Sequence, residues 1–276
     1  MLSNLMESLN SNSPTLLPTS FGLLLRSARA LGWLWTLGLA LGLASCSAPN
    51  PGLTGALRVG SDLANPPFAL VDGEGEPQGR DVEMMQRLGA KLGREIEWVR
   101  MDFDLLLEAV EGGEIDVVCA TIGITPEREE RINFTSAYFQ TSISAVVRQG
   151  AGEPGALGDL AGRPVHAGTG TTSEFAARAR LPAAVLTPAA KADTTTLERL
   201  LDGEIDAAIM DGPNAAAMVA ENSGRLALLP TPLAIERYAL AVRPDAPELL
   251  AALNLALADL RRGGLLTLLD ADYGLR

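Results

Sequence analysis

A segment of nine residues that occurs twice constrains the fold of this chain more than any other feature. Residues 113–121 read GEIDVVCAT, and residues 203–211 read GEIDAAIMD. In each copy an apolar helix and a glycine turn lead into an apolar strand, and the two strands end in register on Thr121 and Asp211. Open α/β sheets bind their ligands at the carboxyl ends of the strands. The repeat therefore predicts two similar α/β lobes, each with a polar group at that end of a strand.

The segments around the two copies alternate between strand and helix patterns. Strands are predicted at 57–60, 95–101, 115–120 and 164–167. Helices are predicted at 80–92, where apolar residues recur at helical spacing, at 105–110 and from about residue 173. Apolar strands such as 115–120 are typical of buried parallel sheets. This alternation indicates an α/β fold.

The net charge and the scarcity of histidine and cysteine exclude several functions. The formal net charge of the 276 residues is −12, which repels phosphate backbones, and no basic stripe with interleaved aromatics occurs. We therefore expect no nucleic-acid partner. His166 is the only histidine, and Cys46 and Cys119 are the only cysteines, so no zinc site built from these residue types is expected. The sequence also has no G-x-S-x-G nucleophile elbow, and we expect neither a metal nor another cofactor.

The first 46 residues have the pattern of an export signal. Arg26 and Arg29 precede an apolar run at 31–43, which is shorter than the ~20 residues of a membrane-spanning helix. The run ends in small residues before Cys46, and the letters LASC at 43–46 resemble a bacterial lipobox. In proteins with such a signal the cysteine is lipidated and becomes the first residue of the mature chain.

We therefore predict a signal peptide at 1–46, lipidation of Cys46 and a flexible tether at 47–56, which is rich in proline, glycine and serine. The protein is then extracytoplasmic and anchored to a membrane by lipid. Two alternatives are that residues 1–46 form an uncleaved N-terminal anchor and that Cys46 pairs with Cys119. The pairing is disfavoured because Cys119 lies in an apolar strand, where it behaves as a small hydrophobic residue.

Short motifs follow one another from residue 57 almost to the C-terminus. They are LRVGSD at 57–62, PPF at 66–68, GRD at 79–81, GEID at 113–116, ITPER at 124–128, FTSAY at 134–138, GTGTT at 168–172, DAAIMD at 206–211 and ALAVRP at 239–244. In their order and spacing these motifs resemble the periplasmic polar-amino-acid-binding proteins of ABC importers, the family 3 extracellular solute-binding proteins.

The resemblance implies a two-lobed periplasmic-binding-protein fold, type II-like, with two α/β lobes joined by two hinge strands. It implies that 57–140 and 241–276 form lobe 1, that 141–240 form lobe 2, and that the crossings lie near 140–144 and 235–240. The lobes then close by rotation on a ligand in the cleft between them. The implied function is that of a monomeric binding protein, not an enzyme, which captures an amino acid and delivers it to an ABC permease in the membrane.

A free amino acid is a zwitterion, so its site requires a fixed cation and a fixed anion. Arg128 is the candidate cation, because a guanidinium can bind a carboxylate through two parallel hydrogen bonds. The alternative is that Arg128 belongs to a solvated charge run at 127–131. Asp211 is the candidate anion for the α-ammonium. Its alternative is a helix cap, because Asp-Gly-Pro before an alanine-rich segment is typical of a helix start.

The loop GTGTT at 168–172 lies between a predicted strand and a predicted helix. Backbone N–H groups at a helix start attract anions, which here would be the carboxylate of the ligand. The resemblance implies that Gly170 and Thr171 contact the ligand, and the alternative is an ordinary strand-to-helix turn. His166 either edges the pocket or points to solvent.

Four residues of lobe 1 match pocket positions of the family: Asp62, Asn65, Phe103 and Thr121. Phe103 would pack on the side chain of the ligand, and its alternative is a core phenylalanine. Asn65 stands where the family often has an aromatic residue, and Gly123 stands where it usually has a serine or threonine hydroxyl. We therefore expect a pocket that is roomier and, at Asn65, more polar, with a polar or charged ligand.

Two other functions are compatible with the same scaffold. Some relatives of this family dehydrate cyclic prephenate-type acids, and carboxylates in the cleft could act as acid or base. The other is an amino-acid sensor, a role that usually comes with fused transmembrane and signalling segments. An ammonium partner at Asp211 favours simple binding over dehydration.

Overall fold

Helices and strands alternate along residues 55–189 and 195–275, which are the residues that the computed structural model describes. The strands are β1 (Leu57–Ser61), β2 (Ala64–Asn65), β3 (Ala69–Val71), β4 (Pro77–Gln78), β5 (Ile96–Arg100), β6 (Val117–Val118), β7 (Asn133–Phe134), β8 (Phe139–Arg148), β9 (Pro164–Gly168), β10 (Val185–Ala189), β11 (Ala207–Asp211), β12 (Leu226–Leu228), β13 (Ala234–Tyr238) and β14 (Ala241–Val242). The helices are α1 (Arg80–Leu92), α2 (Leu106–Gly112), α3 (Pro126–Glu129), α4 (Thr172–Arg180), α5 (Thr196–Asp202), α6 (Gly212–Glu221), α7 (Pro247–Arg262) and α8 (Leu265–Asp272).

The predicted signal peptide at 1–46, the lipidation site Cys46 and most of the tether predicted at 47–56 lie outside the described residues. Within residues 55–189 and 195–275, no helix is long and apolar enough to cross a membrane.

The first sheet has the strand order β5-β1-β6-β14-β7. In it β1 runs parallel to β5 and β6, and β14 runs antiparallel to β6 and β7. Val117 packs in a hydrophobic cluster with α1, α7 and α8, whereas Val118 packs in a different cluster with α2. Because successive side chains of a strand point to opposite faces, this sheet is buried on both sides. Burial on both sides explains why residues 117–120 are continuously apolar.

The second sheet has the order β10-β9-β11-β8-β12, and β13 also pairs with β8. Here β9 runs parallel to β10 and β11, and β8 runs antiparallel to β11, β12 and β13. Val147 packs with α4, and Val146 packs with α5 and α6, so this sheet too is covered on both faces. A small antiparallel sheet, β2-β3-β4, packs on α1. The predicted α/β fold with two lobes is confirmed.

Two strands of the second sheet, β8 and β13, reach the hydrophobic cluster that α1, α7 and α8 form with the first sheet. Phe139 and Tyr238, which are paired at the ends of β8 and β13, pack there against Phe68. The rings of Phe139 and Tyr238 stack with centroids 5.8 Å apart, and Phe68 meets Tyr238 edge to face at 5.5 Å. These paired ends lie at the predicted crossings, and the hinge motion itself stays a prediction.

Local signals predicted one helix well and one strand badly. The helix predicted at 80–92 is α1, and it ends at Gly93, which has a φ of +66° that favours glycine. The strand predicted at 115–120 is limited to Val117–Val118, because the backbone leaves the strand conformation before Thr121, whose φ is +51°. The apolar run thus predicted burial correctly and strand length incorrectly.

Candidate functional site

The loops that follow β6, β9 and β11 enclose a cavity of about 100 Å³ between the first and second sheets. From the part of the chain that precedes β7 it is lined by Ala64, Asn65, Phe103, Thr121, Gly123 and Arg128. From the part that follows β8 it is lined by His166, Gly168, Thr171, Thr172, Ser173, Thr196, Ile209, Met210, Asp211 and Asn214. Seven of the nine residues predicted to bind a ligand line this cavity, and the two that do not are Asp62 and Gly170.

Arg128 reaches from α3 across the cleft. Thr125 caps this short helix by accepting a hydrogen bond from the backbone N–H of Arg128 at 3.3 Å. The guanidinium donates to the carbonyl of Gly123 at 2.7 Å and to the carbonyl of Gly170, in the loop after β9, at 3.0 Å. Burial lowers the pKa of Arg128, which is only 6% exposed. The side chain therefore does not belong to a solvated charge run.

Asp211 is the last residue of β11 and directly precedes α6. Its backbone occupies the N-cap position, but its side chain makes no capping hydrogen bond. Instead, the carboxylate accepts from the Tyr238 hydroxyl at 2.5 Å and from the Ser173 hydroxyl at 3.4 Å. The side chain thus faces the cavity, and its orientation does not fit the helix-cap alternative.

Asn65, on β2, contacts Thr121 and Asn214 on another wall of the cavity. Its amide donates to the Thr121 hydroxyl at 2.7 Å and accepts from the amide of Asn214, on α6, at 2.8 Å. Thr121 in turn donates to the carbonyl of Ala120 at 2.7 Å. A threonine at φ +51° is unusual, because the left-handed region disfavours β-branched residues. Such strain is often found at functional sites.

The GTGTT loop uses its polar groups differently from the prediction. Thr171 caps α4 by accepting from the N–H of Glu174 at 3.3 Å and donates to the carbonyl of Gly168 at 2.6 Å. The N–H of Gly170 donates to the Glu174 carboxylate at 2.8 Å, so this donor is already occupied. Gly170 contributes its carbonyl to Arg128 instead. The predicted contact of Gly170 and Thr171 with a ligand stays a prediction.

The remaining predicted residues have distinct surroundings. His166 lines the cavity and is within 3.2 Å of the Thr196 hydroxyl through Nε2, so it edges the pocket and does not point to solvent. Phe103 lines the cavity and also packs on the α2 cluster, with its ring centroid 5.9 Å from the Arg128 guanidinium. Asp62 is buried after β1. Among the described residues, no cluster of histidine, cysteine, aspartate or glutamate could hold a metal.

Glu236, which was not predicted from the sequence, lies against Gly123 and Thr172 of the cavity wall. It lies on β13, is 5% exposed, and accepts a hydrogen bond from the Thr172 hydroxyl through Oε1. Burial and the charge of Asp211 raise the pKa of Glu236 to about 9, although Arg128 acts in the opposite direction. The sequence carries no comparable signal, because the burial of Glu236 and the exposure of the adjacent Ile235 in β13 become visible only in the structure.

Gly123 provides the space that Glu236 occupies. A Cβ atom at position 123 would lie 2.4 Å from Oε1 of Glu236 and 2.7 Å from Cγ2 of Thr172. The expectation of a roomier pocket at Gly123 is therefore wrong. The carboxylate of Glu236 fills the space beside Gly123.

Comparisons with known proteins agree with this architecture. The chain matches the bacterial extracellular solute-binding proteins, family 3, over residues 57–275. It is 29% identical to the L-arginine-binding protein of Pseudomonas aeruginosa, over 82% of this chain and 90% of that protein. It is also 29% identical to the L-cystine-binding protein TcyJ of Escherichia coli, over 89% of this chain and 94% of that protein.

Solved structures are similar as well. An ancestral arginine-binding protein bound to arginine has 30% identity and a TM-score of 0.73, with 80% of this chain and 98% of that chain covered. An ancestral amino acid-binding protein described as a precursor of cyclohexadienyl dehydratase has 28% identity and a TM-score of 0.72, with coverages of 79% and 95%. These relatives are named as binding proteins rather than enzymes. The chain belongs to the bacterial extracellular solute-binding proteins of family 3.

Proposed function

We propose that this protein captures a polar amino acid in the cleft between its lobes and delivers it to an ABC importer. One observation carries the proposal: a buried guanidinium and a carboxylate, Arg128 and Asp211, come from different lobes and line one cavity. This is the charge arrangement that a zwitterion requires. Closure of the lobes would remove both charges of the ligand from water at once.

Arg128 suits the carboxylate of the ligand. Its guanidinium has five N–H donors, and the carbonyls of Gly123 and Gly170 use two of them. These two contacts hold the planar group in place, so the other donors can face a carboxylate with little loss of side-chain freedom.

Asp211 suits the ammonium of the ligand. A carboxylate has about four acceptor positions, and the hydroxyls of Tyr238 and Ser173 use two of them. The remaining acceptor positions are available to an ammonium.

The ligand that we propose to test first is L-arginine. Arginine is named for a relative that is 29% identical and for a bound structural relative that is 30% identical. The wall formed by the amides of Asn65 and Asn214 is polar, which favours a polar side chain over a large hydrophobic one.

We further propose that residues 1–46 are a signal peptide and that Cys46 carries lipid, so that the domain is tethered near its permease. The LASC ending supports this. Metabolic labelling with a clickable fatty acid should mark the wild-type protein and not Cys46→Ser. Absence of label from the wild type, in cells that lipidate other proteins, would rule out the anchor.

The lobe assignment is also part of the proposal: 57–140 with 241–276 as one lobe, and 141–240 as the other. Rotation about the paired ends of β8 and β13 would open the cleft to ligand. We propose that the protein works as a monomer, because each single chain supplies both charges of the site.

The test is a thermal-shift screen of the twenty standard amino acids, because a ligand that binds only the native state raises the melting temperature. Calorimetry then compares the best ligand with its amide and its N-acetyl derivative. Loss of either ligand charge should weaken binding to the wild type. Arg128→Ala should weaken the amino acid more than the amide, and the matched control Arg131→Ala, an exposed arginine three residues away, should change neither. If none of the twenty amino acids binds, the proposal is wrong.

A further inference from the structure

The side-chain amides of Asn65 and Asn214 meet at the cavity. Asn65 lies on β2, in the small sheet that packs on α1, whereas Asn214 lies in the first turn of α6, which packs on the second sheet. Nδ2 of Asn214 donates to Oδ1 of Asn65 at 2.8 Å, and both residues line the cavity. The proposed zwitterion clamp does not use this hydrogen bond, because the bond involves neither Arg128 nor Asp211.

Asn65 is fixed in position by contacts on its own side of the cavity. Its Nδ2 donates to the Thr121 hydroxyl at 2.7 Å, and that hydroxyl donates to the carbonyl of Ala120 at 2.7 Å. Asn65 is only 3% exposed, so little water competes for these bonds. The acceptor Oδ1 is therefore directed towards α6 by contacts that do not include Asn214. These contacts can persist when the bond to Asn214 is broken.

Asn214 belongs to the same short segment as Asp211. Asp211 ends β11, α6 begins at the next residue, and Pro213 precedes Asn214 in the first turn of that helix. A helix start with a proline has little backbone freedom, because the ring fixes φ. A movement that brings the Asp211 carboxylate to the ammonium of a ligand therefore brings the Asn214 amide to Asn65 as well.

We propose that Asn214 is a positioning residue that retains the ligand: its bond to Asn65 forms when the cleft closes and breaks before the ligand leaves. The inference rests on the proposed function, specifically on the assignment of Asn65 and Asn214 to different lobes. Arg128 makes a similar contact with the carbonyl of Gly170, but Arg128 also holds the carboxylate of the ligand in the proposed clamp. The Asn65–Asn214 bond, by contrast, can be removed without removing a charge of the clamp.

A bond that exists only in the closed form acts on release and not on capture. The ligand enters the open form, in which the two amides are apart, so the association rate constant does not depend on the bond. Release requires opening, which breaks the bond. Loss of one neutral hydrogen bond should therefore increase the dissociation rate constant by roughly fivefold. Most substitutions that weaken a complex act on this rate constant.

The experiment measures both rate constants by rapid mixing of the purified protein with radiolabelled L-arginine, or with whichever standard amino acid gives the largest thermal shift. Release is followed after a chase with excess unlabelled amino acid. For Asn214→Ala, which places a strong helix former in α6, we expect a roughly fivefold increase in the dissociation rate constant. The association rate constant should stay within about twofold of the wild type. The matched control Asn222→Ala should change neither rate constant, because the Asn222 amide donates to Met218 of the same helix and does not line the cavity.

A double-mutant cycle separates a bond between the two amides from a direct contact of Asn214 with the ligand. Asn65→Leu keeps the approximate shape of the side chain and removes the acceptor, and Asn65→Ala takes its place if Asn65→Leu does not fold. In this background Asn214→Ala should leave the dissociation rate constant unchanged, because the bond is already absent. A residue that contacts the ligand by itself would increase the dissociation rate constant by the same factor in both backgrounds.

Three results overturn the inference and leave the proposed function intact, because the amino acid still binds in each. The first is an unchanged dissociation rate constant for Asn214→Ala, and the second is a loss of affinity confined to the association rate constant. The third is an equal effect of Asn214→Ala with and without the Asn65 amide, which would assign Asn214 to the ligand itself. Failure of all twenty amino acids to bind the wild type overturns the proposed function, and the inference with it.

Discussion

The two copies of the repeated segment have nearly the same structural roles up to their last residue. In each, a glycine with positive φ ends a helix, at Gly113 after α2 and at Gly203 after α5. The isoleucine two residues later is fully buried in both. The strand that follows then lies between one parallel and one antiparallel neighbour, which are β1 and β14 for β6, and β9 and β8 for β11.

The aspartate at the fourth position of the repeat is structural in both copies. Asp116 pairs with Arg58 at 2.7 Å, and Asp206 pairs with Arg148 at 2.6 Å. Each arginine lies on a strand of the same sheet and also donates to a carbonyl within the repeat, which is that of Gly113 or Ile205. The residues that the two copies share therefore form a turn, a core residue and an ion pair that holds the strand in place.

The ninth position of the repeat differs between the two copies, and its residue lines the cavity in both. Thr121 offers a hydroxyl that is held by Asn65, in a backbone conformation at φ +51°. Asp211 offers a carboxylate in extended conformation, held by Tyr238 and Ser173. One scaffold has thus been used twice, with a neutral group at one end of the cleft and an anion at the other. In this repeat the residues that the two copies share stabilise the fold, and the residue that differs between them lies in the site.

Substitution of the two aspartates of the second copy should separate these roles most clearly. Asp211→Asn leaves the ammonium of a bound amino acid without a counter-charge, which we expect to weaken binding by roughly 2–5 kcal/mol, or about thirtyfold or more. Calorimetry should show little change in affinity for Asp206→Asn, a matched control in the same strand region. Asp211→Asn should not disturb α6, because the Asp211 side chain makes no capping bond there.

The equivalent position of the first copy should matter less. Thr121→Ala removes the hydroxyl that binds Asn65 and should weaken binding by about 1 kcal/mol, or roughly fivefold. Equal losses for Thr121→Ala and Asp211→Asn would contradict the assignment of distinct roles to the two ends of the repeat.

The loop after the first copy allows a further test, at Gly123. Gly123→Ser should force Glu236 away from Thr172 and lower the free energy of unfolding by roughly 1–2 kcal/mol, since the site is already filled. Urea denaturation should show recovery in the double variant Gly123→Ser/Glu236→Ala, where the added side chain has room. Gly158→Ser is the control that should be neutral, because a Cβ atom added at Gly158 would meet no other atom within 4 Å.

If Gly123→Ser lowers the free energy of unfolding equally with and without the Glu236 side chain, then glycine is required at 123 because of the backbone conformation there. The coupling between the two substitutions is therefore the quantity that decides, because residues in contact deviate from additivity.

Much of the fold could be predicted from the sequence because its signals are local. The helix at 80–92 combines apolar spacing with a glycine that ends it, and both act within a few residues. The short length of β6 could not be predicted in this way. It depends on Thr121 adopting a left-handed conformation that its contact with Asn65, far away in the chain, helps to hold.

The residues of the site also divide into those that local motifs predict and those that depend on distant contacts. Arg128 and Asp211 were predicted because each lies in a recognisable motif with a residue type suited to one charge of a zwitterion. Glu236 was missed because its role arises only where β13 meets the loop at Gly123 and the start of α4 at Thr172. The sequence shows a glycine at 123, but not which distant residue fills the space beside it.

The smallest expected effect concerns the charge pairs that the two copies share. Asp116→Asn and Asp206→Asn should each lower the free energy of unfolding by about 1 kcal/mol at neutral pH, since these ion pairs are only partly buried. Asp245→Asn is the control: it removes an ion pair with Arg243 whose aspartate is 76% exposed, and it should have no measurable effect.

The pH dependence gives this last prediction its direction. Burial acts to raise the pKa of Asp116, but the hydrogen bonds and charge of Arg58 outweigh it and lower the pKa below its usual value. A carboxyl with a depressed pKa in the folded state stabilises the protein above its unfolded pKa and loses that contribution as the pH falls. The difference in unfolding free energy between the wild type and Asp116→Asn should therefore be constant near neutrality and shrink below about pH 4. Urea titrations at a series of pH values measure it. A difference that grows as the pH falls, or a change in ligand affinity in either variant, would show that the shared aspartate does more than fasten its strand.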